Sequence, residues 1–144
     1  MRIAEILHRK GSDVATVAPE TTVRTLLGKL AEHNIGAVVV SPDGSRIVGI
    51  VSERDVVRNL HARGAALLDT PVSEIMTVDV RTCAPDDLVD GLRATMTEHR
   101  VRHLPVVRDG RLIGIVSIGD VVKSAISELA TERQHLVEYV QGQY

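Results

Sequence analysis

The sequence predicts a fold of mixed helices and strands: two β-α-β-β-α repeats with their sheets packed together, followed by an extended C-terminal helix. Three observations predict it. The first is duplication. The stretch GIVSERDVVR (Gly49–Arg58) returns as GIVSIGDVVK (Gly114–Lys123), with seven of ten positions identical. Extended outward, Thr16–Gly44 aligns with Thr82–Gly110 and Arg46–Arg58 with Arg111–Lys123; eighteen of the 42 paired positions are identical, too many for chance patterning, and Ser45 is the residue left over. The second is a change of apolar period within each copy, from three-to-four spacing to unbroken β-branched runs. The third is the Asp-Gly pair at the same place in both copies, a hairpin signal beside which the single-residue slip is easily absorbed.

The elements follow in order. A short apolar strand (15–18, then 81–84) runs into proline. A helix follows, with Val23, Leu26, Leu27 and Leu30 on its apolar face in copy one and Val89, Leu92 and Met96 in copy two. Strands at 37–41 and 46–51, and again at 104–107 and 111–116, join through Asp43-Gly44 and Asp109-Gly110. A second helix starts at Ser52 and at Ser117. Three short strands in a unit of about 45 residues bury too little core to stand alone, which predicts that the copies pack on each other. Segments 3–7 and 72–76 (AEIL against SEIM) are matching lead-in turns, and 62–73 is the connection. The chain therefore divides into repeat 1 with its lead-in (1–66), repeat 2 (67–126) and a C-terminal helical extension (127–144). The last helix is expected from Gly119 to about Val140. Val122, Ile126, Leu129, Leu136 and Val140 lie near one stripe that Arg133 interrupts. That stripe is covered either by another subunit or by folding back onto its own domain.

Composition limits function. Of 144 residues 44% are hydrophobic, yet Tyr139 and Tyr144 are the only aromatic rings, so the core is Val, Ile, Leu, Ala and Met and no platform exists for stacking bases. Seventeen Lys and Arg against nineteen Asp and Glu leave a net charge of −2, which points to neither nucleic acid nor an anionic membrane surface as partner. The lone Cys83 excludes an internal disulfide and a Cys-rich zinc site. No signal peptide and no transmembrane run is legible, so a cytoplasmic protein is expected. The six histidines form no HExxH, no serine sits in GxSxG, and Asp86-Asp87 fall at a helix start. No catalytic residue, catalytic cofactor or metal site is expected, and hence no enzyme.

Ser52-x-x-Asp55 and Ser117-x-x-Asp120 admit two readings. As capping boxes, each serine accepts from a backbone N–H and each carboxylate reaches back, stabilising by roughly 1 kcal/mol. As a ligand site, the same helix N-terminus offers N–H groups to an anion, the serine a hydroxyl to phosphate, and the aspartate an acceptor for neighbouring hydroxyls such as those of a ribose.

The paired apolar-Pro starts, the hairpins and the GIVSxxDVV endings resemble, over about residues 1–126, a tandem of CBS domains (named after cystathionine beta-synthase), the pair often called a Bateman module. The resemblance implies an α+β pair related by a pseudo-two-fold axis, an adenosine-containing nucleotide of the AMP, ADP or ATP type bound in clefts between the repeats, and a homodimer. It implies that Asp55 and Asp120 take ribose hydroxyls and that Ser52 and Ser117 sit by ribose or phosphate. It also implies that Thr16-Val17 and Thr82-Cys83 lie along the adenine. Each cleft is completed by the opposite repeat, through His99-Arg100-Val101-Arg102-His103-Leu104-Pro105 or through His33-Asn34-Ile35-Gly36-Ala37. The second of these carries neither arginine nor proline, so the clefts should be unequal. Ser52 and Asp55, facing Arg100, Arg102 and His103, are expected to form the better phosphate site. Taken without the resemblance, that basic segment is also explained as a solvated strand edge. Cys83 is expected to be a small buried hydrophobe. Two functions remain: a stand-alone nucleotide sensor acting on an unidentified protein partner, or a ligand-independent interaction scaffold of the same fold.

Overall fold

Residues at three-to-four apolar spacing form helices and β-branched runs form strands, in the order that the duplication predicts. The computed structural model describes residues 1–142: α1 (Ile3–Lys10), β1 (Thr16–Val17), α2 (Val23–His33), β2 (Ala37–Val40), β3 (Gly49–Ser52), α3 (Glu53–Arg63), α4 (Val89–His99), β4 (His103–Arg108), β5 (Arg111–Ser117) and α5 (Ile118–Gln141). One sheet has the order β1-β2-β3, with β1 parallel to β2 and β2 antiparallel to β3; the other pairs β4 with β5.

The copies differ in two ways. The strand expected at 81–84 is reduced to a single parallel bridge between Cys83 and Val106, beside a bulge at which Ile113 of β5 is left without a partner on β4. The hairpins also differ. Asp109 (φ 52°) and Gly110 (φ 76°) both take left-handed backbone, as a two-residue type I′ turn requires. Asp43 instead accepts the N–H groups of Ser45 (2.9 Å) and Arg46 (2.8 Å) on one oxygen, which turns the extra residue into a loop. The strand expected from residue 46 therefore begins only at Gly49.

The lead-ins are exchanged between repeats. Ile3 N–H donates to the Asp87 carbonyl, Ala4 N–H to Pro85, and Val89 N–H to Met1. The mirror set is Val72 N–H to Thr21, Ser73 N–H to Pro19, and Val23 N–H to Thr70. The pseudo-two-fold axis is written in these reciprocal bonds. One core accordingly joins Ile3, Ile6 and Leu7 to Leu92, Met96, Leu104 and Val116, and the other joins Val72 and Ile75 to Val23, Leu26, Val38 and Val51. Packing thus crosses between the two sequence repeats in both directions.

The same exchange explains two glycines. A Cβ on Gly49 would lie 2.5 Å from Met76 Sδ, and one on Gly114 would lie 2.6 Å from Leu7 Cδ2. Each Gly-Ile-Val strand is bare where the opposite lead-in packs on it.

At the C-terminus, Val121 and Ser124 of α5 are buried against the second repeat, and the Met1 ammonium lies 3.6 Å from Glu128. The helix then runs clear. Ile126, Leu129, Leu136 and Val140 are 62%, 64%, 65% and 82% exposed, so the stripe does not fold back onto its own domain. The last two residues of the expected 127–144 extension, Gln143 and Tyr144, lie outside the described residues. No helix among the described residues is long and apolar enough to cross a membrane.

Candidate functional site

Both Ser-x-x-Asp motifs sit where a strand of the hairpin turns into a helix, and both form complete capping boxes. Ser52 N–H donates to Asp55 Oδ2 (2.9 Å), Ser52 Oγ donates to the same oxygen (3.1 Å), and Asp55 N–H donates back to Ser52 Oγ (3.4 Å). At Ser117 and Asp120 the corresponding distances are 2.9, 3.0 and 3.2 Å.

The helix N-termini offer less to an anion than the motif suggested. Glu53 N–H is taken by the Gly36 carbonyl (3.0 Å) and Ile118 N–H by the Arg102 carbonyl (2.8 Å). With the serine holding a further N–H, two of the first three donors of each helix are already used. A phosphate bound here would need side-chain cations.

The cleft between repeats is built around His103. It stands opposite Ser117 in its own hairpin, as Ala37 stands opposite Ser52. Across the repeat boundary its ring lies against Gly36: a Cβ there would be 3.5 Å from Cε1, 3.6 Å from Nε2 and 3.2 Å from Glu53 Oε1. A side chain at Gly36 would touch the histidine and press on the glutamate carboxylate, which would have to give by a few tenths of an ångström. Burial disfavours the imidazolium and holds the His103 pKa below its ordinary value. Glu53 opposes this, Lys10 adds to it, and the weaker charges of Asp120 and Arg102 act in opposite directions. His103 is therefore neutral at pH 7 and enters the cleft as a hydrogen-bonding ring. The cations whose charge reaches His103 are Lys10 and Arg102.

Arg100 is the C-cap of α4 in left-handed backbone (φ 54°), matching Asn34 (φ 52°) after α2. Arg102 is exposed, and among the described residues neither arginine forms an ion pair. Ala37 and Pro105 are buried on the two hairpins.

The two boxes differ in a way the motifs alone did not reveal. Lys10 Nζ, at the end of α1, bonds Asp120 Oδ2 at 2.7 Å and the Ile115 carbonyl at 3.0 Å. Asp55 has no such partner among the described residues, and all its side-chain hydrogen bonds fall on Oδ2. Burial raises the pKa of Asp120, but the Lys10 bond, the Ser117 hydrogen bonds and the Lys10 charge together hold it below 3.8. A depressed carboxyl stabilises the fold above its unfolded pKa, and that contribution disappears as pH falls through the folded value. Asp120→Asn is therefore expected to destabilise at pH 7, with the deficit shrinking as pH falls through the depressed folded-state pKa in denaturant melts. A deficit that persists unchanged in acid would contradict this origin.

Thr16 and Val17 form β1, with the Thr16 carbonyl taking Lys29 Nζ at 2.9 Å. Thr82 and Cys83 line a cavity of about 370 Å³ with Asp87, Leu88, Gly91 and Thr95, and neither Ser-x-x-Asp motif borders it. The structure thus brings His103, Gly36 and Glu53 together beside Ser52. Cys83 is buried, and desolvation, then the Asp87 charge, push its thiol up to about 12, so it is no thiolate nucleophile. No cluster of His, Cys, Asp and Glu suited to a metal ion occurs among the described residues.

Glu53 and Lys10 are the site residues that sequence reasoning missed. Lys10 had a signal. In the lead-in alignment it falls opposite Asp79, a charge reversal between otherwise similar segments.

Comparison with known proteins agrees with this architecture. The family described as CBS domain matches residues 3–62 and again 72–127. A CBS-domain containing protein from Agrobacterium tumefaciens, ATU1752, superposes with a TM-score of 0.84 at 45% identity, over 87% of this chain and 99% of that one. The mitochondrial CBS domain-containing protein CBSX3 of Arabidopsis thaliana is 35% identical over 99% of this chain and 73% of its own length. The CBS domain pair of protein MJ0100, solved in complex with methylthioadenosine and S-adenosyl-L-methionine, superposes with a TM-score of 0.77 at 25% identity, over 89% of this chain and 98% of that one.

Proposed function

We propose that this chain, which belongs to the CBS domain family as a tandem pair of repeats, is a cytoplasmic ligand-sensing module that binds an adenine nucleotide of the AMP, ADP or ATP type between them. Binding alters the contacts of a homodimer or of a protein partner. The observation that carries this reading is the cleft at Ser52. There Asp55 keeps Oδ1 clear of hydrogen bonds, and His103 of the opposite repeat reaches across to Gly36 and Glu53. Asp55 takes the ribose hydroxyls, Ser52 turns its hydroxyl to the ligand, and Arg100 and Arg102 supply the charge a phosphate needs. The adenosine compounds bound by the MJ0100 pair support an adenosine-type ligand.

The Asp120 cleft is the weaker one, because the Lys10 ammonium on Asp120 Oδ2 already neutralises the carboxylate that would accept the ribose hydroxyls. A ligand can switch such a module only through its different affinity for two arrangements of the repeats. The exchanged lead-ins tie each repeat to the other, so a change in angle is felt by both cores.

Ligand binding to the folded state raises stability by about 2.7 kcal/mol at one hundred times Kd. Melting in the presence of AMP, ADP or ATP is expected to shift upward by several degrees for at least one of them. Flat melts with all three at millimolar concentration would remove the reading.

Arg100 offers a sharper separation. Left-handed backbone costs an ordinary side chain roughly 1 kcal/mol, and Asn34 already fills the equivalent cap. Arg100→Asn is expected to leave stability unchanged or raised while weakening nucleotide affinity several-fold. Equal affinity in the variant would take Arg100 out of the site.

The second reading, a ligand-independent scaffold, is favoured by the completeness of both capping boxes, which explains all four motif residues without a ligand.

A further inference from the structure

The outer half of α5 carries a seam that no other segment among the described residues covers. Val122, Ile126, Leu129, Arg133, Leu136 and Val140 recur at intervals of four, three, four, three and four residues, a heptad pattern held for about 27 Å of helix. Their exposure rises from 51% at Val122 to 82% at Val140, so this is not the core face, which runs through Val121 and Ser124. Leu129, Glu132, Arg133, Leu136, Val137 and Val140 border a shallow groove of about 470 Å³. Heptad spacing suits a second helix lying along the seam, and Arg133 decides which helix and in which direction.

We propose that this segment pairs antiparallel with the same segment of a second copy, the two-fold axis passing beside Thr131. This deepens the homodimer of the preceding reading and is independent of its ligand. In a parallel pair, Arg133 would face its own copy in one layer, two like charges in an apolar seam, and Glu132 would face Val137. In the antiparallel pair every seam residue finds a partner: Val122 meets Val140, Ile126 meets Leu136, and Arg133 meets Leu129. The arginine stem then lies on leucine, and its guanidinium reaches the partner's Glu132. The two Glu132 and two Arg133 alternate around the axis, so neither pair of like charges is left unbalanced. Ala130, small and exposed, lets the helices approach at the axis. Glu128 is already engaged by the N-terminal ammonium, which leaves Glu132 as the carboxylate for this role. A charged residue at one seam position lowers stability but fixes orientation and register.

Sedimentation equilibrium of the full chain tests this. The expected mass is twice the 15.6 kDa of one chain. The expected effect of Leu129→Asp with Leu136→Asp is a dimer dissociation constant at least a hundredfold higher. Both positions are exposed, so the variant's thermal melt should show a folded protein. A monomeric parent, or a dimer untouched by the double substitution, overturns the proposal. Orientation is read from Ile126→Cys with Leu136→Cys after oxidation, the native Cys83 being buried. Peptide mapping should join residue 126 to residue 136 of the partner. Links of 126 to 126 and 136 to 136 would mean a parallel pair and sink the assignment. Nucleotide titration of the Leu129→Asp, Leu136→Asp variant keeps the questions apart, because the Ser52 cleft lies within one chain.

Discussion

Replacing Ile3 with alanine is expected to cost about 2 to 5 kcal/mol, and the second repeat should loosen first although Ile3 precedes the first. Ile3 is fully buried in the core that contains Leu92, Met96, Leu104 and Val116, none of it from repeat 1. Its own backbone N–H is held by the Asp87 carbonyl. Removing three carbons there leaves a cavity that α4 and β5 must close around, and interiors at crystal-like density collapse only partly. Val72→Ala should do the reverse, loosening α2 and β2 through the core that Val72 shares with Val23 and Leu26. Amide exchange followed by mass spectrometry reads both. Faster exchange in residues 89–117 for the first variant and in residues 23–52 for the second would support exchanged lead-ins. The opposite assignment would mean that each lead-in serves its own repeat.

Asp55→Ala is expected to weaken adenine-nucleotide binding tenfold or more, and Asp120→Ala to matter less. Losing a charged hydrogen-bond partner costs about 1.5 to 3 kcal/mol, and each 1.4 kcal/mol is a factor of ten in affinity. Asp55 meets a ligand without first giving up an ion pair, whereas Asp120 is held by Lys10 at 2.7 Å. Alanine also removes a capping box, at roughly 1 kcal/mol of stability, so affinity must be compared on protein shown to be folded. Asp55→Asn serves as the control, since an amide oxygen still accepts from Ser52 N–H while the charge is gone. Equal losses at both aspartates would contradict the inequality of the clefts.

The repeat order, the helices and the long last helix were legible because duplication and period are local signals that each copy supplies twice. The Asp109-Gly110 turn was legible for the same reason. The Asp43 loop was not, because its shape depends on which N–H groups one carboxylate collects, and Ser45 adds a donor there. Nor was the exchange of the lead-ins legible. AEIL and SEIM are alike, and similarity cannot say which repeat each segment packs against. The Lys10–Asp120 pair was not legible either, since the reach of Lys10 to Asp120 depends on that exchange. The glycines of the GIV runs illustrate the same limit: the motif cannot say what packs on them, and the structure fills the space with Leu7 and Met76.

Calorimetric titration of the full chain with AMP, ADP, ATP, S-adenosylmethionine and NADH tests the central claim most directly. The account predicts micromolar binding of at least one adenine nucleotide at about one site per chain, abolished or weakened tenfold or more by Asp55→Ala. No heat from any of the five, on folded protein, would contradict it and leave both Ser-x-x-Asp motifs as helix caps of a ligand-independent scaffold.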